Sequence, residues 1–164
     1  ERTLTISSSG KTFSFTGWKI GWASGPADLV AAVEGAKNWL SYSSGAPFQP
    51  AIAKALDEHE DFHTAMRSDL AAKRDLMCAA LAEIGFGVRE PEGTYFITTD
   101  IRPLGATDGR DFCQHLATSV GVVAIPSQVF YADAAKGRHL VRFAFCKRDE
   151  VLHEAVARLR TLSA

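Results

Sequence analysis

Ser7 to Trp22 read SSSGKTFSFTGWKIGW, and the two lysines in this stretch, Lys11 and Lys19, stand among glycines, hydroxyl side chains and large aromatic rings rather than among other charges. A lysine becomes a nucleophile when a neighbouring cation and partial burial favour its neutral form, or when it is held as an imine. A second lysine eight residues away and the rings around it supply the sequence ingredients of such a site. They also fit two solvated loop charges, and composition alone favours that plainer reading.

The rest of the chain narrows the classes that apply. With 164 residues and 46% hydrophobic content it can bury a real core, and length alone favours one compact domain. Its 18 basic and 19 acidic residues leave a net charge of -1, with no basic excess to attract nucleic acid or an anionic membrane. No apolar run approaches the roughly eighteen residues a membrane span requires, and ERTLTISSSG lacks the shape of a signal peptide. A cytoplasmic protein is therefore expected. Cys78, Cys113 and Cys146 are widely spaced and odd in number, which predicts reduced thiols in or near the core. The chain opens on Glu1 without a methionine and enters the apolar LTI at once, as the later part of a longer protein would.

Periodicity outlines the elements. Turn formers in the lysine stretch predict a loop feeding a strand at Ile20–Ala23, after which Pro26 opens a helix whose Leu29, Val30, Val33, Ala36 and Leu40 should form a buried face. A short helix is expected around Ile52 and Leu56. Phe62, Met66, Leu70, Met77, Leu81 and Ile84 then recur at helical spacing, so residues 61–84 form a helix about 36 Å long that Gly85 ends. Beyond it, β-type runs FGVRE, TYFITT, VGVVAI and HLVRFAF alternate with helical patterns at 108–119 and 149–162, which predicts an α/β layered fold.

Two other motifs compete with the lysine stretch. SGKT ends like a phosphate loop, but the glycine that motif requires at position 5 is Thr5. His59–His63 spell HEDFH, the H-E-x-x-H pattern of zinc peptidases, with Glu83 as a third ligand. If residues 61–84 are one helix, Glu83 lies about 30 Å along the axis from His63 and cannot share its metal. A solvated, charged helix start accounts for the motif, and no metal site is expected.

SSSGKTFSFTGWKIGW resembles the cofactor-lysine segment of the class I/II aminotransferases, the fold type I pyridoxal-phosphate enzymes, in which S-x-x-K precedes a GW[RK]xGW element. The likeness continues in family order through GPADLV, SSGAPFQPAIAKAL, GTYF, IPSQVFY and HLVRFAFCK, and so covers nearly the whole chain. It is strongest to the branch holding kynurenine, methionine and N-succinyldiaminopimelate aminotransferases, where a lysine occupies the GWKxGW position.

The resemblance implies the C-terminal part of a fold type I α/β transferase: residues 1–60 ending a large cofactor domain, 61–85 a connecting helix and 86–164 a small α/β domain. It implies pyridoxal 5'-phosphate as cofactor, Lys11 as its Schiff-base lysine and catalytic proton carrier, and Ser8 and Lys19 as phosphate ligands. Arg142 matches the arginine that takes the substrate carboxylate through its planar fork. Without that role it would be a strand arginine paired at the surface, and between Val141 and Phe143 it calls for an anionic partner. Tyr95, Phe96, Phe130 and Tyr131 lie in elements that approach the substrate, with core packing as the default for each. Ser127 stands where relatives often carry glycine.

The implied activity is ping-pong transfer of an amino group from an amino acid to a 2-oxo acid, in a homodimer, with the acyl-diaminopimelate branch preferred for the donor. The family's phosphate turn, stacking ring and pyridine-pairing aspartate have no counterpart in these residues, so the chain alone should be a poor catalyst. A carbon-sulfur lyase of the same fold and a non-catalytic truncated piece are the alternatives.

Overall fold

The computed structural model describes residues 2–43 and 45–162. These form two units, Glu1–Ala65 and Met66–Ala164. The first is built on an antiparallel pair, β1 (Thr5–Ser8) and β2 (Gly21–Ser24), in register from Thr5 opposite Ser24 to Ser8 opposite Gly21. Between them lie the short helix α1 (Ser9–Thr12) and a loop in which Ser14 and Lys19 adopt left-handed backbone, φ 59° and 56°.

Pro26 caps α2 (Ala27–Leu40) as its ring geometry favours. The expected buried face of α2 is not present: Leu29 and Val30 are half-buried, Trp39 and Leu40 are 93% and 86% exposed, and no residue of the helix is buried. The spacing predicts amphipathicity correctly, but no described layer of the unit covers the apolar side. α3 (Phe48–Glu58) follows, with Ile52 buried. Gly45, at φ +62°, precedes it because a side chain there would meet Ile20 Cδ1 at 2.4 Å.

α4 (Glu60–Ile84) appears where the periodicity placed it and ends at Gly85, φ +111°. His59 is not in it. Its backbone, φ −125° and ψ 48°, closes α3, so the two histidines of HEDFH do not share one helix and the zinc geometry is lost. Among the described residues no cluster of three metal-ligating side chains occurs, and no helix is long and apolar enough to cross a membrane.

The second unit carries an antiparallel sheet in the order β3 (Gly87–Val88), β4 (Phe96–Asp100), β6 (Leu140–Ala144), β5 (Ile125–Pro126). Between β4 and β5 run a 3-10 turn, Arg102–Leu104, and α5 (Gly109–His115), which continues through a π-helical turn, Leu116–Val120. Another 3-10 turn, Ser127–Phe130, and α6 (Ala134–Gly137) return the chain to β6, and α7 (Asp149–Leu159) follows. The FGVRE and VGVVAI runs yield only two-residue edge ladders. The apolar residues of VGVVAI are split between the π turn and an irregular segment in which Val122 and Ala124 still reach the core.

Strand alternation divides this sheet into two faces. Ile97, Thr99, Val141 and Phe143 face a core completed by Leu81, Ile84, Leu116, Leu152, Val156 and Leu159. Thr99 Oγ1 donates to the Val141 carbonyl at 3.2 Å, so its buried hydroxyl is satisfied. Phe96, Thr98, Arg142 and Ala144 occupy the other, more open face.

Salt bridges brace the perimeter: Arg160 to Glu83 at 3.0 Å and Arg138 to Asp108 at 2.8 Å. The Arg138 contact, with the amide N–H of Arg110, holds the Asp108 carboxyl below the ordinary carboxylate range. Cys78 and Cys113 are buried and free as expected, and burial pushes the Cys113 thiol up to about 11. Cys146 is exposed, contrary to the core expectation, because it lies just beyond the end of β6.

Candidate active site

The lysine stretch is held by backbone and rings. Ser9 is fully buried, and both its N–H and its Oγ donate to the Ile20 carbonyl at 3.0 Å, which closes the loop between β1 and β2 at its neck. Gly21 sits opposite Ser8 because a Cβ there would lie 2.7 Å from the Ser7 carbonyl oxygen. Beyond the neck Phe15 stacks on Trp18 and Trp18 on Phe48, with centroids 4.7 and 4.5 Å apart, so the loop is anchored to α3. Phe13 stacks on Phe62 at 5.6 Å, which fixes the residue two positions after Lys11.

Of the expected site residues, Ser8, Lys11 and Lys19 thus belong to one loop and its neck. Ser8 ends β1 with no capping hydrogen bond, Lys11 lies in α1, and Lys19 occupies a left-handed position that a lysine adopts only at some cost. All three are exposed. Neither lysine makes a salt bridge among the described residues, in contrast to Lys54 and Lys73, which pair with Glu58 and Asp69. Two primary amines without a carboxylate partner among the described residues, on one loop with a hydroxyl that caps nothing, are donor types suited to an anionic ligand that also carries a carbonyl carbon. That chemistry fits pyridoxal phosphate.

Arg142 stands in the second unit, at the centre of β6, opposite Thr98 on one side and Ile125 on the other. It is half-buried. The expected anionic partner is missing: no carboxylate pairs with it among the described residues, and its buried Nε has no hydrogen-bond partner. Two rings take that place, with the guanidinium carbon 4.0 Å from the Phe96 centroid and 4.4 Å from that of Phe130. TYFITT reads as a strand, but only the register of β4 on β6 brings Phe96 to the face that Arg142 occupies. No sequence signal placed Phe130 there, because its position depends on the 3-10 turn after β5.

This fold and these residues define a known class. The family described as aminotransferase class I and II matches residues 1–159, and the chain belongs to that family, whose enzymes depend on pyridoxal phosphate. Among its relatives, a Mycobacterium tuberculosis protein described as "Probable N-succinyldiaminopimelate aminotransferase DapC" is 53% identical over 172 residues, covering 99% of this chain and 43% of its own length. The methionine aminotransferase of Escherichia coli is 36% identical over 99% of this chain and 42% of its own. The solved structure of N-succinyldiaminopimelate aminotransferase from Mycobacterium tuberculosis superposes with a TM-score of 0.87 at 55% identity, over 99% of this chain and 42% of that one. The chain thus spans about two-fifths of the length of these relatives. Its fold is that of fold type I aminotransferases.

Proposed function

We propose that the protein is a pyridoxal-phosphate-dependent aminotransferase that moves an amino group from an amino acid to a 2-oxo acid by a ping-pong mechanism, with N-succinyldiaminopimelate as the donor. The observation that carries this reading is Arg142: a half-buried guanidinium with no carboxylate partner among the described residues, and so available to one from a substrate. A half-buried guanidinium without an anion is costly, and an α-carboxylate bound at its terminal nitrogens would offset that cost with two parallel hydrogen bonds.

In this reading Lys11 supplies the primary amine that holds the cofactor aldehyde and later moves the proton at the substrate α-carbon through Nζ. Ser8 would donate its hydroxyl to the cofactor phosphate, and Lys19 would oppose the phosphate charge. The cofactor, when bound, supplies the electron sink. Residues 1–60 would end the cofactor domain, 61–85 connect it, and 86–164 form a small α/β domain that carries Arg142. A cytoplasmic homodimer completes the proposal, and the apolar side of α2 is a surface that further protein would cover. The relatives' names favour transfer over carbon-sulfur lysis.

The test is a donor panel on the full-length protein with pyridoxal phosphate and 2-oxoglutarate. Glutamate should form, with the highest kcat/KM from N-succinyldiaminopimelate, and Arg142→Lys should raise KM for the donor about ten- to hundred-fold. Release of ammonia and pyruvate from a cysteine conjugate without any acceptor would overturn the transfer reading in favour of a lyase. Absence of turnover with cofactor bound would leave only a binding role.

A further inference from the structure

Resting on the reading of Arg142 as the carboxylate ligand, we propose that Phe96 and Phe130 are positioning residues. They hold the Arg142 guanidinium through their ring faces so that its N–H donors remain free for the substrate. The alternative way to anchor an arginine is visible elsewhere in the same unit. Arg74, Arg102, Arg138, Arg158 and Arg160 each direct guanidinium N–H groups at a carboxylate of the chain. Donors used in that way are not available to a ligand. Among the described residues Arg142 has no such partner, and its central carbon lies 4.0 and 4.4 Å from two ring centroids. A ring face attracts the cation electrostatically without supplying a competing carboxylate.

The rings arrive from either side of β6, Phe96 on β4 and Phe130 from the turn that follows β5. Phe96 is opposite Ala144, two residues from Arg142 on the same face, which is the diagonal position from which an aromatic ring reaches a long cross-strand side chain. Phe130 comes from the other edge: β5 pairs Ile125 with Arg142, and the 3-10 turn Ser127–Phe130 then brings the chain back. That turn is fixed from below. Ser127 and Gln128 are buried, and a Cβ on Gly137 would lie 2.9 Å from Gln128 Cα and 2.5 Å from the Tyr131 ring. Phe130 itself is 58% exposed. Its ring touches the Arg142 guanidinium in this unit.

The experiment replaces Phe130, and separately Phe96, in the full-length protein with phenylalanines of increasing fluorination, which keep the shape of the ring and weaken its negative face stepwise. Hexanoate, a plain carboxylate with no amine to react, is titrated calorimetrically as the probe, and the Nε–H resonance of Arg142 is followed by NMR. The expected result is a stepwise rise in the hexanoate Kd, about ten-fold across the series, and a wild-type Nε–H resonance displaced upfield by ring currents that moves back in Phe130→Leu.

A flat series, with hexanoate binding abolished by Arg142→Ala, would overturn the positioning role and leave the carboxylate reading standing. Hexanoate that fails to bind, or binds Arg142→Ala as it binds the wild type, would overturn the carboxylate reading and this proposal with it. An undisplaced Nε–H resonance in the wild type would overturn the ring contact whatever hexanoate does.

Discussion

The two halves of the candidate machinery are built in opposite ways. Arg142 stands on a sheet whose other face is packed into a continuous core, so its backbone is immobilised by Val141 and Phe143 on either side of it, 0% and 3% exposed. Lys11 stands on a hairpin loop with little core of its own. Ser9, Ile20 and Ile52 are buried in that unit, and the loop is held by a two-bond neck and stacked rings. The lesson is that the same chain supports a candidate carboxylate ligand by depth of packing and a candidate cofactor amine by local backbone geometry. Substitutions should therefore damage the two regions in different currencies.

The largest expected effect is chemical. Lys11→Ala should lower aminotransferase turnover of the full-length protein by on the order of 10³-fold or more. Measured without cofactor, its melting temperature should barely change, since the exposed side chain makes no salt bridge among the described residues. A large loss of stability in that variant would break the comparison.

Leu81→Ala is the counterpart in the second unit. The side chain is fully buried in the core, so truncation should lower unfolding free energy by about 2–5 kcal/mol, measured by denaturant unfolding, with KM for the donor little altered. Gly21→Ala comes next. A Cβ 2.7 Å from the Ser7 carbonyl must push the strands apart at the neck of the lysine loop, costing about 1–3 kcal/mol and weakening cofactor affinity through Ser8 and Lys19. Cofactor titration would detect it.

The smallest effect concerns pH. Asp108 is held below its ordinary range by Arg138 and by the amide of Arg110. A carboxyl whose folded pKa is depressed stabilises the fold above its unfolded pKa, about 3.9, and that contribution is lost as pH falls through the folded value. Asp108→Asn should therefore flatten the acid limb of a stability profile below about pH 4 and weaken the α5 cap modestly. An unchanged acid limb would remove the salt bridge from the account.

Legibility in the sequence followed the range of the interactions concerned. α4 and its stop at Gly85, the helical pattern that becomes α7, and the strands around Phe96 and Arg142 all follow from local period and turn chemistry. Ser8, Lys11 and Lys19 were candidates through the family resemblance rather than through spacing or composition, and they share one loop and its neck. What was not legible depended on partners far along the chain. The face of α2 reads as buried but has no described layer over it, and VGVVAI reads as a strand but mostly forms an irregular route to the core. The expectation of an anion beside Arg142 rested on the cost of an unpaired charge. It missed the rings because pairing register and the turn after β5 are tertiary facts.

The central claim, that Lys11 is the amine that holds the cofactor, is tested most directly by reducing the full-length protein with borohydride in the presence of pyridoxal phosphate and mapping the tryptic peptides. Trypsin does not cut at a modified lysine, so the account predicts one pyridoxyl-bearing peptide running from Thr3 to Lys19, uncut at Lys11. A pyridoxyl group found only on another lysine, or on none while Lys11 is cleaved normally, would contradict it.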